Sequence, residues 1–149
     1  MTTVRSVLKR PMLEVVDARP PNFDKIVAVL PDAAKPGTMF AYDGKVYFPG
    51  GKGPLTRELD AHERVHIERQ GHDGLEAWWE KYLADVNFRF NEELLAHRAE
   101  YRTYCKRHID QVKRAKFLRV ISKRLASPLY GAGLTDERAA IEILFGDAA

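Results

Sequence analysis

Cysteine and long apolar runs are almost missing from this chain of 149 residues. Its single cysteine, Cys105, has no partner for an internal disulfide, which is typical of proteins in a reducing compartment. No apolar run approaches the roughly 20 residues that cross a bilayer. The first ten residues also lack the continuous apolar stretch of a secretory signal peptide. We therefore expect a cytoplasmic protein with no membrane partner.

A large excess of charge of one sign is missing as well. The net charge is +3, and 30% of the residues are charged while 45% are hydrophobic, which is ordinary for a globular protein. Such a mild basic excess indicates no particular partner by itself. The length suits one domain with its own core and is short for two. Residues 1–149 are therefore interpreted as a single domain without internal repeats.

Residues 1–53 carry strand and turn patterns. Two short runs rich in β-branched residues, 12–16 and 26–30, predict strands. Residues 38–48 predict a hairpin, because the Asp-Gly pair at its centre tolerates the positive φ angles of a type I′ turn. The N-terminal part is thus expected to form a small antiparallel or mixed sheet.

Residues 54–149 carry helical patterns. The first helix is predicted over 55–70, with Pro54 in its first turn and Gly71 ending it. A second helix is expected to open at a capping box that begins at Asp73.

The third helix is predicted from about 88–91 to 108, with a bent or broken continuation over 109–125. Thr135 is expected to cap a last helix that ends near Phe145. A strand-rich part followed by helices is typical of the α+β class.

The first predicted helix contains the pattern H-E-x-x-H at His62, Glu63 and His66. Two histidines four residues apart lie on the same helix face, so both imidazoles can reach one Zn²⁺ ion. The glutamate beside the first histidine then lies where a general base is needed. This spacing predicts a hydrolytic metal centre.

A catalytic zinc site usually has a third protein ligand, and the third predicted helix offers four candidates: Glu92, Glu93, His97 and Glu100. Glu93, His97 and Glu100 share one helical stripe, whereas Glu92 falls about 100° away around the helix. We favour Glu93 as the ligand, with Glu100 and Glu92 in reserve. This donor set indicates zinc, although nitrogen and oxygen ligands together also accept manganese, cobalt or nickel.

The order of these motifs carries a resemblance. H-E-R-V-H at 62–66 is followed by the tryptophan pair at 78–79 and by E-L-x-A-x-R-A-x-Y at 93–101. Over roughly residues 36–145 the chain resembles a family of small predicted zinc metallopeptidases found in phage genomes and prophage regions. The resemblance implies a predominantly helical, zincin-like domain of the gluzincin type, with the motif on an active-site helix and Glu93 as third ligand.

Two positions depart from that family. Leu95 stands where relatives often carry another acid, and His97 stands where they often carry tyrosine. The first departure removes a competing ligand, and the second concerns the surroundings of the metal.

With zinc bound, we expect Glu63 to act as general base in the hydrolysis of a peptide or protein substrate. Tyr130, in a glycine-flanked loop, and Tyr101 are candidate donors to the oxyanion. The hairpin is expected to offer an edge strand to an extended peptide. Asp60, Glu100 and His97 are candidates to orient the histidine rings.

Two other functions stay open. One is a non-catalytic zincin-like protein with a structural or interaction role in a phage-derived particle. The other is a metalloprotease associated with nucleic acid, because eight of the residues from Lys106 to Arg124 are lysine or arginine and Asp110 is the one acid among them. The spread of these cations around the helix favours a solvated amphipathic face over a nucleic-acid surface.

Overall fold

The computed structural model describes residues 11–145. The first ten residues, for which the sequence predicts no signal peptide, lie outside that range. The sheet has three strands, β1 (Val15–Val16), β2 (Phe40–Tyr42) and β3 (Lys45–Tyr47), in the order β1-β3-β2. β1 is parallel to β3, and β2 is antiparallel to it.

The predicted hairpin is confirmed. β2 and β3 pair through a turn in which Asp43 has φ of 50° and Gly44 has φ of 80°. These are the two positive φ angles of a type I′ turn, whose twist matches that of the flanking strands.

Helices make up most of the described chain, as the α+β prediction required. They are α1 (Phe23–Val29), a 3-10 helix (Pro31–Ala34), α2 (Arg57–Asp73), α3 (Leu75–Ala84), α4 (Val86–Arg107), α5 (Gln111–Leu125) and α6 (Asp136–Phe145). α2 and α4 pack along each other and position the histidine motif. None of the helices in residues 11–145 has the length and apolar character needed to cross a membrane.

The strand predicted at 26–30 is wrong, because this run forms most of α1. Phe23, Ile26 and Leu30 recur at helical spacing, and they pack into a core cluster that includes Phe40 and Trp78. Burial of that face outweighs the strand propensity of the β-branched residues.

Two predicted helix ends are also wrong. α2 begins after Thr56, whose side chain accepts a hydrogen bond from the Leu59 amide, and not at Pro54. It continues past Gly71 and ends before Gly74, which has φ of 93°. Gly74 is therefore the residue that caps the end of α2 and precedes α3, so the capping box predicted at Asp73 does not form.

The continuation predicted over 109–125 is a separate helix. α4 ends before His108, and the Asp110 side chain accepts a hydrogen bond from the Val112 amide at the start of α5. The prediction for the last helix is confirmed, since Thr135 Oγ1 accepts from the Arg138 amide at the start of α6.

Candidate metal centre

α2 places the two histidines of the motif on one buried face. His62 and His66 are one turn apart, and their ring centroids are 5.1 Å apart. Glu63 is buried beside them, with its Oε2 atom 3.8 Å from His62 Nε2. The helix therefore brings all three predicted residues of the motif to the interface with α4.

Glu93 on α4 faces both histidines. Its Oε1 atom lies 3.5 Å from His62 Nε2, and its Oε2 atom lies 3.1 Å from His66 Nε2. Tetrahedral ligands bound about 2.0–2.1 Å from zinc lie roughly 3.3 Å from one another. Each of the two contacts of Glu93 with a histidine is thus close to the spacing of neighbouring zinc ligands.

His97, one turn after Glu93, belongs to the same cluster. Ligand atoms of His62, Glu93 and His97 all lie within 4.8 Å of one another. His97 Nδ1 donates to the backbone carbonyl of Glu93 at 2.6 Å, and Nε2 has no hydrogen-bond partner among residues 11–145. Since Nδ1 carries the proton, Nε2 presents a lone pair in a fully buried place.

Glu100 orients His62. Its Oε1 atom lies 2.9 Å from His62 Nδ1, and it also accepts a hydrogen bond of 2.7 Å from Arg124. Of the three groups considered for this task, Asp60 lies elsewhere and accepts from the Leu13 amide and from Arg64. His66 Nδ1 has no hydrogen-bond partner in the described part of the chain. Glu100 thus fixes the His62 ring through Nδ1 and leaves Nε2 directed at Glu93.

Glu92 is turned away from the histidines. Its carboxylate accepts hydrogen bonds from Trp78 Nε1 at 2.7 Å and from Arg69 Nε at 2.6 and 2.8 Å. This agrees with the helical phase in the sequence, which predicted that Glu92 and Glu93 lie on different faces of the helix.

Tyr82 has a role in the cluster that the sequence did not suggest. Its hydroxyl donates a hydrogen bond of 2.6 Å to Glu93 Oε2. The spacing of Trp78 and Tyr82 could have indicated this contact. They are four residues apart on one face of α3, and both donate to glutamates of α4.

The buried charges favour a cation. Glu63, Glu93 and Glu100 supply three carboxylates, and Arg124 supplies one positive charge. With neutral imidazoles, two negative charges remain, which one divalent cation would balance. The donor set of imidazole and carboxylate is one that zinc accepts.

The pKa values reflect the same crowding. Burial lowers the pKa of His62, but contacts with Glu100, Glu93 and Glu63 outweigh it and raise the pKa to about 10. Burial raises the pKa of Glu93, but the neighbouring His66 and His62 hold it well below its usual range. His62 therefore keeps a proton where a metal ion would displace it.

The pKa of Glu63 is raised. Burial is the main cause, and His62 and His66 act in the opposite direction. A carboxylate whose pKa lies above its ordinary value is a stronger base, which suits proton transfer near neutral pH.

The two tyrosines proposed as oxyanion donors are separated. Tyr130 is buried, lines the cavity beside Glu63 and His66, and has its ring centroid 6.0 Å from that of His97. Tyr101 packs instead with Leu94 and Ile121 in a second core cluster. Tyr130 therefore remains a candidate, and the assignment of Tyr101 is wrong because its side chain joins a different core.

A cavity of about 400 Å³ opens beside the cluster. Glu63, His66 and Glu93 form part of its wall, and Trp78 and Phe40 lie among the apolar residues of the rest. A buried donor cluster next to a cavity of this size is the usual setting of a ligand-binding or active site.

Comparisons with protein-family models, with curated proteins and with solved structures found no match to this chain. The resemblance to the phage metallopeptidases therefore stays a prediction. What the geometry supports directly is coarser: His62, Glu93 and His97 form a buried cluster that could bind a metal ion.

Proposed function

We propose that this chain is a zinc-dependent metallopeptidase in which His62, His66 and Glu93 hold the metal and Glu63 is the general base. The observation that carries the proposal is the contact of both His Nε2 atoms with the two oxygens of one buried carboxylate, at 3.5 and 3.1 Å. Glu63 lies beside this arrangement, where the pattern H-E-x-x-H requires it.

Zinc, when bound, supplies Lewis-acid chemistry that makes water a nucleophile near neutral pH and polarises a carbonyl group. Glu63 takes the proton of the attacking water on its carboxylate and returns it to the leaving amine. Its buried position keeps that carboxylate from competing contacts with solvent.

Other residues of the chain orient the ligands. Glu100, itself held by Arg124, accepts from His62 Nδ1 and so keeps Nε2 free to bind. The Tyr82 hydroxyl holds one oxygen of Glu93 in place. Tyr130, on the cavity wall, donates to the oxyanion that develops on the scissile carbonyl.

Substitution of the base tests the proposal. Glu63→Gln keeps the shape of the side chain and removes its basicity, so hydrolysis of fluorescently labelled casein should fall by about 10²–10⁴-fold. Zinc content, measured by elemental analysis, should stay at the wild-type level. The matched control is Glu68→Gln, an exposed residue on the same helix, which should leave both readouts unchanged. Unchanged hydrolysis in Glu63→Gln would contradict the mechanism.

A non-catalytic, metal-binding protein is the competing function. It predicts zinc uptake that depends on His62 and Glu93, together with no hydrolysis by the wild type of casein or of a broad peptide library. A binding protein has no need of a general base, so Glu63 separates the two functions.

An association with nucleic acid is the second candidate, and α5 favours it, because the helix contains no acidic residue and exposes Lys113 and Lys116. Arg114 and Arg124 are engaged within the chain, with backbone carbonyls and with Glu100 respectively. Charge reversal by Lys113→Glu and Lys116→Glu should abolish salt-dependent binding of a DNA duplex if this candidate is correct.

A further inference from the structure

The cavity beside the metal centre has one charged wall and several apolar walls. Within residues 11–145, the charged part of the lining consists of two carboxylates, Glu63 and Glu93, and one guanidinium group, Arg124. Elsewhere the lining includes Leu30 and Trp79. A ligand that reaches the metal centre therefore meets apolar surface next to the site of reaction.

The most distinctive wall comes from α1 and the 3-10 helix. Ile26, Leu30 and Ala33 line the cavity, and each is at most 7% exposed. These residues precede the part of the chain that resembles the phage metallopeptidases, which starts at about residue 36. The wall is thus a feature of this chain and does not follow from the resemblance.

The edge strand limits how a peptide can lie. β2 is at the edge of the sheet, as the hairpin prediction required, and the Val46 amide opposite Ala41 donates to Glu14 on the other side. The backbone of Ala41 consequently faces away from β3. Gln70 on α2 occupies its carbonyl, with a hydrogen bond of 2.8 Å.

Phe40 is the neighbour of Ala41 and pairs with Tyr47, so its backbone faces β3. Among the residues before Ala41, Met39 is therefore the next whose backbone can face an added peptide, and both Met39 and Phe40 line the cavity. A peptide bound at this part of the edge has its backbone beside the cavity mouth, so one of its side chains can enter the cavity.

We propose that the cavity binds a large apolar side chain, aromatic or long aliphatic, of an extended peptide next to the bond that is cleaved. This inference rests on the proposed peptidase function and names its substrate class. A volume of about 400 Å³ lies in the range of ligand sites and far exceeds what an alanine side chain fills. Burial of a side chain such as phenylalanine should strengthen binding about 10- to 100-fold over alanine.

The test uses zinc-loaded Glu63→Gln protein and three acetylated pentapeptide amides that differ only in their central residue, phenylalanine, alanine or glutamate. Binding is followed by the fluorescence of Trp78 and Trp79, which line the cavity. The phenylalanine peptide should bind about 10- to 100-fold more tightly than the alanine peptide, and the glutamate peptide should bind most weakly.

Two variants on the same background locate the binding. Ala33→Phe fills the cavity and should remove the preference for phenylalanine, whereas Ala115→Phe, on the exposed side of α5, is the matched control and should keep it. Leu30→Ala removes part of the apolar wall and should reduce the preference for phenylalanine several-fold, which keeps the test decisive if Ala33→Phe does not fold.

Equal binding of the phenylalanine and alanine peptides, or a preference that survives both Ala33→Phe and Leu30→Ala, would overturn this inference and leave a zinc- and Glu63-dependent hydrolysis standing. Conversely, a preference lost in Ala33→Phe, combined with no zinc-dependent hydrolysis by the wild type, would refute the peptidase proposal and retain an apolar binding site.

Discussion

Substitution of Glu93 by glutamine is the sharpest test of the proposed metal centre, because the preceding residue, Glu92, offers a matched control. Glu93 and Glu92 are adjacent and at most 3% exposed. Each accepts a hydrogen bond from α3, Glu93 from Tyr82 and Glu92 from Trp78. They differ in what they face, since Glu93 contacts His62 and His66 and Glu92 contacts Arg69. Glu93→Gln and Glu92→Gln therefore make the same chemical change in similar burial, and only the first removes a proposed ligand.

The expected loss follows from the energy of zinc sites. Four-ligand zinc peptides bind the metal with roughly 10–16 kcal/mol, so one ligand accounts for about 2.5–4 kcal/mol, or about 10²–10³-fold in affinity. Glu93→Gln should lose that much, because a neutral amide replaces the carboxylate between the two imidazoles. Glu92→Gln should keep zinc affinity within about twofold and should lower the free energy of unfolding by about 1–3 kcal/mol, since it weakens the charge-assisted bonds from Trp78 and Arg69.

Zinc affinity is measured by competition with a chromophoric chelator at fixed pH, and the free energy of unfolding is measured by urea titration with excess chelator. Equal zinc affinity in Glu93→Gln and wild type would show that Glu93 is not a ligand. A large loss in Glu92→Gln without a loss in Glu93→Gln would move the third ligand to Glu92.

Three further predictions concern the orientation of His62, the stabilisation by zinc and the cap of α4. Glu100→Gln should reduce zinc affinity about 10- to 100-fold by the same competition assay, because Glu100 orients His62 without reaching the metal; an unchanged affinity would contradict that role. Zinc at 100 times its dissociation constant should stabilise the wild type by about 2.7 kcal/mol and raise its Tm by roughly 5–10 °C in calorimetry, an increase that His66→Ala should lack. Asp85→Ala removes the side chain that accepts hydrogen bonds from the Asn87 and Phe88 amides at the start of α4, so the free energy of unfolding should fall by about 1 kcal/mol. A loss no larger than that of an exposed control such as Asp24→Ala would contradict the capping role.

The sequence predicted the parts of the structure that depend on local spacing. The Asp-Gly pair determined the hairpin, since few other residues tolerate two successive positive φ angles. Helical phase placed Glu93, His97 and Glu100 on one face of α4 and turned Glu92 towards α3. In each case the geometry follows from the chain within about seven residues of the feature.

Features that depend on packing between distant segments were not predictable in this way. The run at 26–30 has strand propensity, and it becomes α1 only because Phe23, Ile26 and Leu30 find an apolar surface that includes Phe40. Similarly, Tyr101 and Tyr130 are indistinguishable as donors in the sequence, but the packing of α4 against α5 takes Tyr101 into a different core cluster.

The environment of His97 depends both on local spacing and on packing between distant segments. Its spacing from Glu93 made it one of four ligand candidates, and the same spacing lets Nδ1 donate to the Glu93 carbonyl. That bond places the free lone pair on Nε2, and the ring lies 4.7 Å from the ring of His62. Burial lowers the pKa of His97 to about 3, with His62 adding to the effect, so the ring stays neutral at physiological pH. This neutral, fully buried imidazole has one nitrogen without a hydrogen-bond partner among residues 11–145. His97 therefore adds to the cluster a donor that could share a cation with His62 and Glu93.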